Sequence, residues 1–296
     1  MNDSKIIDGK LISSQIKEEI KVEVEKLKHE KEITPGLAFI LVGEDPASKV
    51  YVNSKGKACE QLGFYSITKT LPEDTTEDIL LKQIDEFNED KNIHGILVQL
   101  PLPKHINELK IIEAINFKKD VDGFHPQNVG RLVTGAKSFI PCTPYGITEL
   151  LKRSNVDTAG KNVVVIGRSN IVGKPMANLL LKKKFNSTVT VCHSATKDIK
   201  SYTLNADIII VAMGKANFLK GDMIQDSCVI IDVGMNRVED NTKKTGYRLT
   251  GDVDYEDCYD KCSKITPVPG GVGPMTIAML MKNTLESAQG NVFNDD

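Results

Sequence analysis

An aromatic side chain and an amine lie four residues apart in the first third of the sequence. Tyr51 and Lys55 follow Asp45, which together with the proline after it is a typical start of a helix. Residues four apart share one face of a helix, and this helix is expected to follow the first strand's carboxyl end, where α/β proteins place their sites. Lys55 could then carry a proton, and Tyr51 could stack on a flat substrate. A surface pair has the same spacing, and Lys49 and Lys57 lie on the same helix.

Polar side chains at two further positions extend this set. Gln99 lies in the segment VQLPLP, at the end of an apolar strand, and Asp120 and Asp122 lie in KDVDGFHP. A buried carboxylate can accept hydrogen bonds from the amino and ring N–H groups of a heterocycle. Stabilising a turn is the competing and commoner role of an aspartate in such a segment.

The segment VVVIGRSNIVGKP, residues 163–175, predicts a strand, a glycine-rich turn and the start of a helix. Backbone amides at such a turn can hold a pyrophosphate. Gly167 and Gly173 are six residues apart, and proline follows Lys174, so the segment matches neither GxGxxG nor a P-loop. Glycine spacing alone therefore leaves a dinucleotide site and an ordinary tight turn equally open.

The end of the following strand bears on the choice of cofactor. NAD sites usually place Asp or Glu there to bind the ribose hydroxyls, and no acid occupies this edge. Positive charge and hydroxyl groups are offered instead by Arg168, Ser169, Ser194 and Lys197. This pattern favours a 2′-phosphate and hence NADP over NAD. A solvated polar edge is the alternative, above all for Lys197.

Alternating helices and strands must position these residues. Apolar runs predict seven strands, at residues 37–42, 64–70, 95–100, 163–166, 188–191, 207–213 and 229–233. Helical periodicity is clearest at residues 11–28, and helices are expected between most strands. The alternation predicts the α/β class with parallel strands and crossover helices. Residues 120–145, rich in Gly and Pro, are predicted to connect two domains, and a last helix at 275–288 is expected to return to the first domain.

Composition narrows the class of protein. The 296 residues carry 38 Lys and Arg against 40 Asp and Glu, so no general attraction to nucleic acid or anionic membranes is expected. The longest apolar run, Ile208 to Met213, is too short to span a bilayer, and the N-terminus lacks the apolar core of a signal peptide. Six cysteines without a CxxC pair and five scattered histidines indicate free thiols and no metal site. The sequence predicts a soluble cytoplasmic protein of about two domains.

Nine segments that span nearly the whole chain resemble one family, the methylenetetrahydrofolate dehydrogenase/cyclohydrolases. In chain order they are YVNSK, VQLPLP, KDVDGFHP, FIPCTPYG, GRSNIVGKP, CHSAT, DVGMN, GDVD and ITPVPGGVGPMT. The resemblance implies two αβ domains around a cleft. A folate-binding catalytic domain is expected at residues 1–140 plus 270–296, and a Rossmann-like NADP-binding domain at residues 141–269. It also implies a homodimer formed through the cofactor domains.

The activity implied by the resemblance has two steps at one site. A hydride passes from the methylene carbon of 5,10-methylenetetrahydrofolate to NADP⁺, and water then converts the methenyl cation to 10-formyltetrahydrofolate. Lys55 would assist proton transfer around the water, with Gln99 bonded to it. Tyr51 would pack on the folate rings, and Asp122 would anchor the pterin.

Further contacts are implied by the same resemblance. The remaining expected substrate contacts are Val98, Leu100, Pro269, Gly270, Gly271 and Thr276. The expected cofactor contacts are Gly167, Arg168, Ser169, Ser194 and Met235, the last standing where the family often has isoleucine. Two alternatives stay open: a monofunctional NAD(P)-dependent methylenetetrahydrofolate dehydrogenase, and a non-catalytic dinucleotide-binding module. The presence of both Lys55 and Gln99 argues for hydrolysis as well.

Overall fold

The computed structural model describes residues 5–243 and 246–293. The helices of this part of the chain are α1 (Gly9–Lys31), α2 (Pro46–Gln61), α3 (Glu77–Glu89), α4 (Glu108–Ala114), α5 (Pro126–Thr134), α6 (Cys142–Arg153), α7 (Gly173–Leu180), α8 (Ile199–Thr203), α9 (Tyr255–Tyr259) and α10 (Val272–Gln289). The strands are β1 (Gly36–Val42), β2 (Tyr65–Leu71), β3 (Gly95–Val98), β4 (Asn162–Ile166), β5 (Thr188–Cys192), β6 (Ile208–Val211), β7 (Val229–Asp232), β8 (Asn236–Glu239), β9 (Tyr247–Thr250) and β10 (Lys264–Ile265). The prediction of the α/β class is confirmed.

The chain divides into two compact units. The first unit consists of Ser14–Cys142 and Ile277–Asp296, and the second of Met1–Ser13 and Thr143–Thr276. The divisions at Ser13 and Thr276 fall inside α1 and α10. The second unit thus includes an N-terminal segment that the sequence analysis assigned to the folate-binding domain. The limits of the two functional domains remain a prediction.

The first unit contains a parallel three-stranded sheet in the order β2-β1-β3. Every residue of the central strand β1 is buried, because its continuous apolar run is covered on both faces. Side chains of β1 and β3 pack with those of α3 and α4, including Leu80, Ile84 and Ile111. This packing holds β1 and β3, and with them the residues that follow their carboxyl ends, in fixed positions.

The second unit contains a parallel five-stranded sheet in the order β10-β7-β6-β4-β5. Strands β4, β6 and β7 are runs of Val and Ile that are buried almost throughout, as expected for the centre of a doubly covered sheet. An antiparallel pair, β8 and β9, follows β7 in the chain. This sheet is the Rossmann-like arrangement that the sequence analysis predicted.

The predicted irregular connection at residues 120–145 contains a nine-residue helix, α5. Pro126 stands at its first turn, and Gly135 ends it with a left-handed φ of 85°. The proline and the glycine are therefore the start and stop signals of a short helix. Interpreting them only as loop residues was wrong.

All six cysteines are free thiols, as the sequence analysis predicted, and the structure shows that all six are buried. Among the described residues, no helix has the length and apolar character needed to cross a membrane.

Candidate functional site

Lys55 and Gln99 form the centre of the candidate site in the first unit. Lys55 Nζ donates a hydrogen bond to Gln99 Oε1 at 3.1 Å, although the two residues are 44 positions apart in the chain. Both side chains are partly buried. Lys49 is instead paired with Glu44, and Lys57 is exposed. Tertiary structure thus selects Lys55 from the three lysines that spacing left open.

Local structure fixes both members of this pair. The Asp45 side chain accepts a hydrogen bond from Ser48 N at 2.7 Å, and Pro46 occupies the first turn, so α2 begins where the sequence predicts. Gln99 follows β3, and its backbone N–H donates to Ile40 O at 2.9 Å on β1. Its side-chain Nε2 donates to Leu100 O at 2.7 Å, which turns Oε1 toward Lys55.

Asp122 lies within electrostatic reach of this pair. Burial raises the pKa of the Asp122 carboxyl group, and the positive charge of Lys55 and a hydrogen bond from Cys142 oppose that shift. Cys142 Sγ donates to Asp122 Oδ1 at 3.5 Å, and burial raises the pKa of this thiol well above its ordinary value. Cys142 carries no signal of a functional role in the sequence, because no spacing rule links it to Asp122.

Asp120 has the other role that the sequence analysis weighed for this segment. It is only 2% exposed and accepts hydrogen bonds from the backbone N–H groups of Phe124 and His125, at 3.3 and 2.8 Å, and from Asn128 Nδ2 at 2.8 Å. Burial raises its pKa to about 7. Through these three hydrogen bonds, Asp120 holds the turn before α5.

The other expected substrate contacts of the first unit surround the same strand end. The Tyr51 side chain is 46% exposed, one helical turn before Lys55. Val98 is the last residue of β3 and is buried, whereas Leu100 is partly buried. A small pocket is lined by Val98, Leu100 and Asp122 together with Asp120 and Phe124. The sequence-predicted residues of this unit thus gather at the carboxyl edge of its sheet.

In the second unit, the turn between β4 and α7 has two positions at which the surrounding chain leaves no room for a side chain. Gly167 has φ +131°, a backbone conformation that residues with a side chain rarely adopt, and an added Cβ would overlap Ala212 O. A Cβ on Gly173 would overlap Gly167 O. Ser169 Oγ accepts from Val172 N at 3.1 Å and stabilises the turn. Packing therefore requires both glycines, which glycine spacing alone did not establish.

The polar groups expected at the cofactor edge lie on the surface of the second unit. Arg168 and Ser169 follow β4, Ser194 follows β5, and all three are exposed together with Lys197. Strands β4 and β5 are parallel neighbours, so their carboxyl ends lie at one edge of the sheet. This edge presents positive charge and hydroxyl groups at the end of β5, where an NAD site would carry an acid.

Two carboxylates fix the loops after β6 and β7. Asp232 accepts hydrogen bonds from the backbone N–H groups of Gly234, Asp252 and Val253 at 2.9, 2.9 and 3.0 Å. Burial raises the pKa of Asp232 to about 6. Asp252 Oδ2 accepts from the backbone N–H groups of residues 213 and 214, and its Oδ1 accepts from the side chain of residue 236.

These contacts give the segments DVGMN and GDVD a physical explanation that the sequence analysis lacked. A Cβ on Gly234 would overlap Asp252, and a Cβ on Gly251 would overlap Asp232. Met235, expected at the cofactor, is 45% exposed on this braced loop. The pattern Asp-x-Gly followed by Gly-Asp is a signal that could have pointed to this pairing.

The remaining predicted residues lie on the segment that leads into α10. Gly270 has φ +113°, and its carbonyl accepts from Lys10 N at 3.0 Å, while Pro269 is exposed. Gly271 is buried, and an added Cβ would approach Thr266. Thr276 Oγ1 lies 3.3 Å from Thr143 Oγ1. Among the described residues, no group of three or more His, Cys, Asp or Glu side chains is placed to hold a metal ion.

Comparison with known proteins matches one family along most of the chain. The family described as tetrahydrofolate dehydrogenase/cyclohydrolase matches with its catalytic domain at residues 7–122 and with its NAD(P)-binding domain at residues 141–292. A protein of Chloroherpeton thalassium, described as bifunctional protein FolD, is 58% identical over 286 residues, which cover 95% of this chain and 97% of that protein.

Solved structures give the same result. The bifunctional FolD dehydrogenase/cyclohydrolase of Campylobacter jejuni is 51% identical, with a TM-score of 0.92 over 96% of this chain and 98% of that one. The methylenetetrahydrofolate dehydrogenase-cyclohydrolase of Trypanosoma brucei, solved with NADP and an inhibitor, is 39% identical, with a TM-score of 0.93 over 99% of this chain and 100% of that one. The resemblance noted in the sequence is confirmed, and the chain belongs to the tetrahydrofolate dehydrogenase/cyclohydrolase family.

Proposed function

We propose that this chain oxidises 5,10-methylenetetrahydrofolate to the methenyl cation by hydride transfer to NADP⁺ and hydrolyses that cation to 10-formyltetrahydrofolate at the same site. The hydrogen bond between Lys55 and Gln99, with Asp122 in electrostatic reach, carries the proposal. A homodimer formed through the cofactor-binding domains and a cytoplasmic location belong to the proposal as well.

Positioning is the main requirement of the first step. A hydride that passes between two bound molecules needs no acid or base from the protein, and good orientation can lower the barrier by about 7–11 kcal/mol. Tyr51 is exposed next to Lys55 and can pack against the flat folate rings. Asp122 can accept hydrogen bonds from the N–H groups of the pterin. These contacts orient the methylene carbon.

Proton movement is the requirement of the second step. The water oxygen forms a bond to the methenyl carbon, the C–N bond to one folate nitrogen breaks, and one proton is released. Lys55 Nζ assists the transfer of protons around this water and hydrogen-bonds the tetrahedral intermediate. Gln99 Oε1 accepts a hydrogen bond from Nζ and so fixes the direction of the amine.

The second unit suits NADP⁺, which supplies the hydride acceptor when bound. Gly167 and Gly173 allow the turn after β4 to pack tightly against the chain, and the backbone amides of such a turn before a helix can hold a pyrophosphate. Arg168, Ser169 and Ser194 would hold the 2′-phosphate, since they are exposed at the edge where an acid for a free ribose hydroxyl is missing. Met235 would pack beside the cofactor from its braced loop.

An absorbance assay with purified protein, 5,10-methylenetetrahydrofolate and NADP⁺ tests the proposal. NADPH and the methenyl species are followed separately. We expect NADPH to rise without lasting accumulation of the methenyl species. If the methenyl species accumulates as fast as NADPH forms and does not decay, the chain is the monofunctional dehydrogenase. NADPH absent while both ligands bind would indicate the non-catalytic module and refute the proposal.

A further inference from the structure

A buried amide on α10 ties together two chain segments of the first unit. The Asn283 side chain is 3% exposed, and its Nδ2 donates to Val121 O at 2.8 Å and to Ile140 O at 2.9 Å. Both amide hydrogens are thereby used. Val121 comes directly before Asp122, and Ile140 comes two residues before Cys142. One side chain thus fixes the distance between the two segments that carry Asp122 and Cys142.

The thiol of Cys142 continues this connection to the carboxylate. Its Sγ lies 3.5 Å from Asp122 Oδ1 and 3.6 Å from Val121 O, so its single hydrogen has two acceptors within reach. Asn283 Nδ2 lies 3.9 Å from the same sulfur. The thiol uses one acceptor position of Oδ1 and leaves the remaining acceptor positions of the carboxylate for a ligand.

We propose that Asn283 and Cys142 are positioning residues that fix the orientation of the Asp122 carboxylate for recognition of the N–H groups of the pterin ring. This inference rests on the proposed function, because it assigns the support of the same site. A carboxylate on a loop can rotate, and a ligand that needs a fixed pair of acceptors would bind more weakly to a rotating one. The amide holds the backbone at Val121, and the thiol holds the side chain itself.

Electrostatics gives the inference a second observable. Burial raises the pKa of Asp122, whereas Lys55 on α2 and the hydrogen bond from Cys142 lower it. Asp120, two residues earlier, is a further charged group that interacts with Asp122. Removing the thiol removes a hydrogen bond that lowers the pKa of Asp122, so the effect of burial raises this pKa further. Folate binding should then begin to fail at a higher pH as the solution is acidified.

The experiment compares four variants of the full chain: Cys142→Ala, Cys142→Ser, Asn283→Leu and the control Ser287→Ala. Ser287 also lies on α10 and also donates to backbone carbonyls, those of residues 94 and 118, but neither is next to Asp122. KM for 5,10-methylenetetrahydrofolate is measured from pH 5.5 to 8.5, together with kcat and the Kd for NADPH from its fluorescence.

We expect Cys142→Ala and Asn283→Leu to raise the folate KM about tenfold, with kcat and the NADPH Kd within about twofold of the original protein. Cys142→Ser, which retains a donor, should restore most of the loss. The pH at which the folate KM begins to rise on acidification should move to a higher value in Cys142→Ala but not in Cys142→Ser. Ser287→Ala should leave the folate KM unchanged. If Asn283→Leu fails to fold, the Cys142 pair still decides.

Two outcomes would overturn the assignment. One is an unchanged folate KM in folded Cys142→Ala. The other is an equal rise of the folate KM and the NADPH Kd, which a general loss of structure would produce. Failure of the proposed function itself is distinct, because the original protein would then turn over no reduced folate at all.

Discussion

Replacing Asp120 or Asp122 by asparagine should have different consequences, although the two residues are only two positions apart. In Asp120→Asn, the amide oxygen can take the place of Oδ2 and keep the two hydrogen bonds at 2.8 Å, from His125 N and Asn128 Nδ2. Only the weaker bond from Phe124 N at 3.3 Å is lost. The variant therefore removes a buried charge and keeps two of the three hydrogen bonds, and it turns its Nδ2 donor toward the Phe124 N–H, a cost that does not depend on pH. Asp122→Asn instead replaces an acceptor on which substrate recognition is proposed to depend.

The magnitude for Asp120 follows from its pKa. Burial raises this pKa from 3.8 to about 7 in the folded protein. Between these values the folded state holds a proton that the unfolded state has released, so the free energy of unfolding falls as the pH rises. At about 1.4 kcal/mol per pKa unit, the full effect is about 4 kcal/mol, of which about 3 kcal/mol lies between pH 5 and pH 8. Asparagine does not titrate. The free energy of unfolding of Asp120→Asn, relative to that of the original protein, should therefore rise by about 3 kcal/mol between pH 5 and pH 8.

Urea unfolding at pH 5, 6, 7 and 8 measures this difference, and folate kinetics measures the functional contrast. We expect Asp120→Asn to gain stability relative to the original protein with rising pH and to keep the folate KM within about twofold. Asp122→Asn should raise the folate KM about tenfold or more. A stability difference that does not change with pH would refute the account of Asp120. An equal rise of the folate KM in both variants would refute the division of roles.

Three further predictions concern the second unit. Arg168→Gln should raise KM for NADP⁺ about tenfold and leave KM for NAD⁺ unchanged, and equal losses with both would contradict the 2′-phosphate assignment. Gly251→Ala forces a methyl group against the Asp232 carboxylate and should lower the free energy of unfolding by about 1–3 kcal/mol. The control Gly130→Ala, on a helix with open space beside it, should not lower this free energy. An unchanged urea midpoint in Gly251→Ala would contradict the steric argument. Asp252→Ala strands three donors and should weaken NADPH binding, measured by fluorescence, more than Asp252→Asn does; equal Kd values would show that these hydrogen bonds do not support the cofactor loops.

Local patterns were sufficient for the elements with a strong signal. Strands β4 and β6 are runs of Val and Ile, and α2 has both a cap and a proline at its start, so their positions followed from the residues. Strand β10 has only two residues and no periodicity, and it exists because β7 offers it a partner. The β8–β9 pair is short and half exposed, which leaves no apolar run to detect.

The candidate site shows the same boundary between local and tertiary information. Spacing put Tyr51 and Lys55 on one face but left three lysines equivalent, and a contact across 44 residues distinguishes them. The resemblance named Asp122 and Gln99 but not the residues behind them. Asn283 acts on a carbonyl 162 residues away, and backbone carbonyls carry no signature in a sequence. Such support becomes visible only when the chain is folded.

The central claim is that Lys55 assists proton transfer during hydrolysis. The most direct test measures the hydrolysis of preformed 5,10-methenyltetrahydrofolate by Lys55→Met and by the control Lys57→Met, which removes an exposed lysine. Both variants remove one lysine from α2, and only Lys55 contacts Gln99. Lys55→Met should lose hydrolysis by at least about a hundredfold, while still binding NADPH, and Lys57→Met should keep it. Full hydrolysis by a folded Lys55→Met enzyme would contradict the assignment of the proton-transfer role to this lysine.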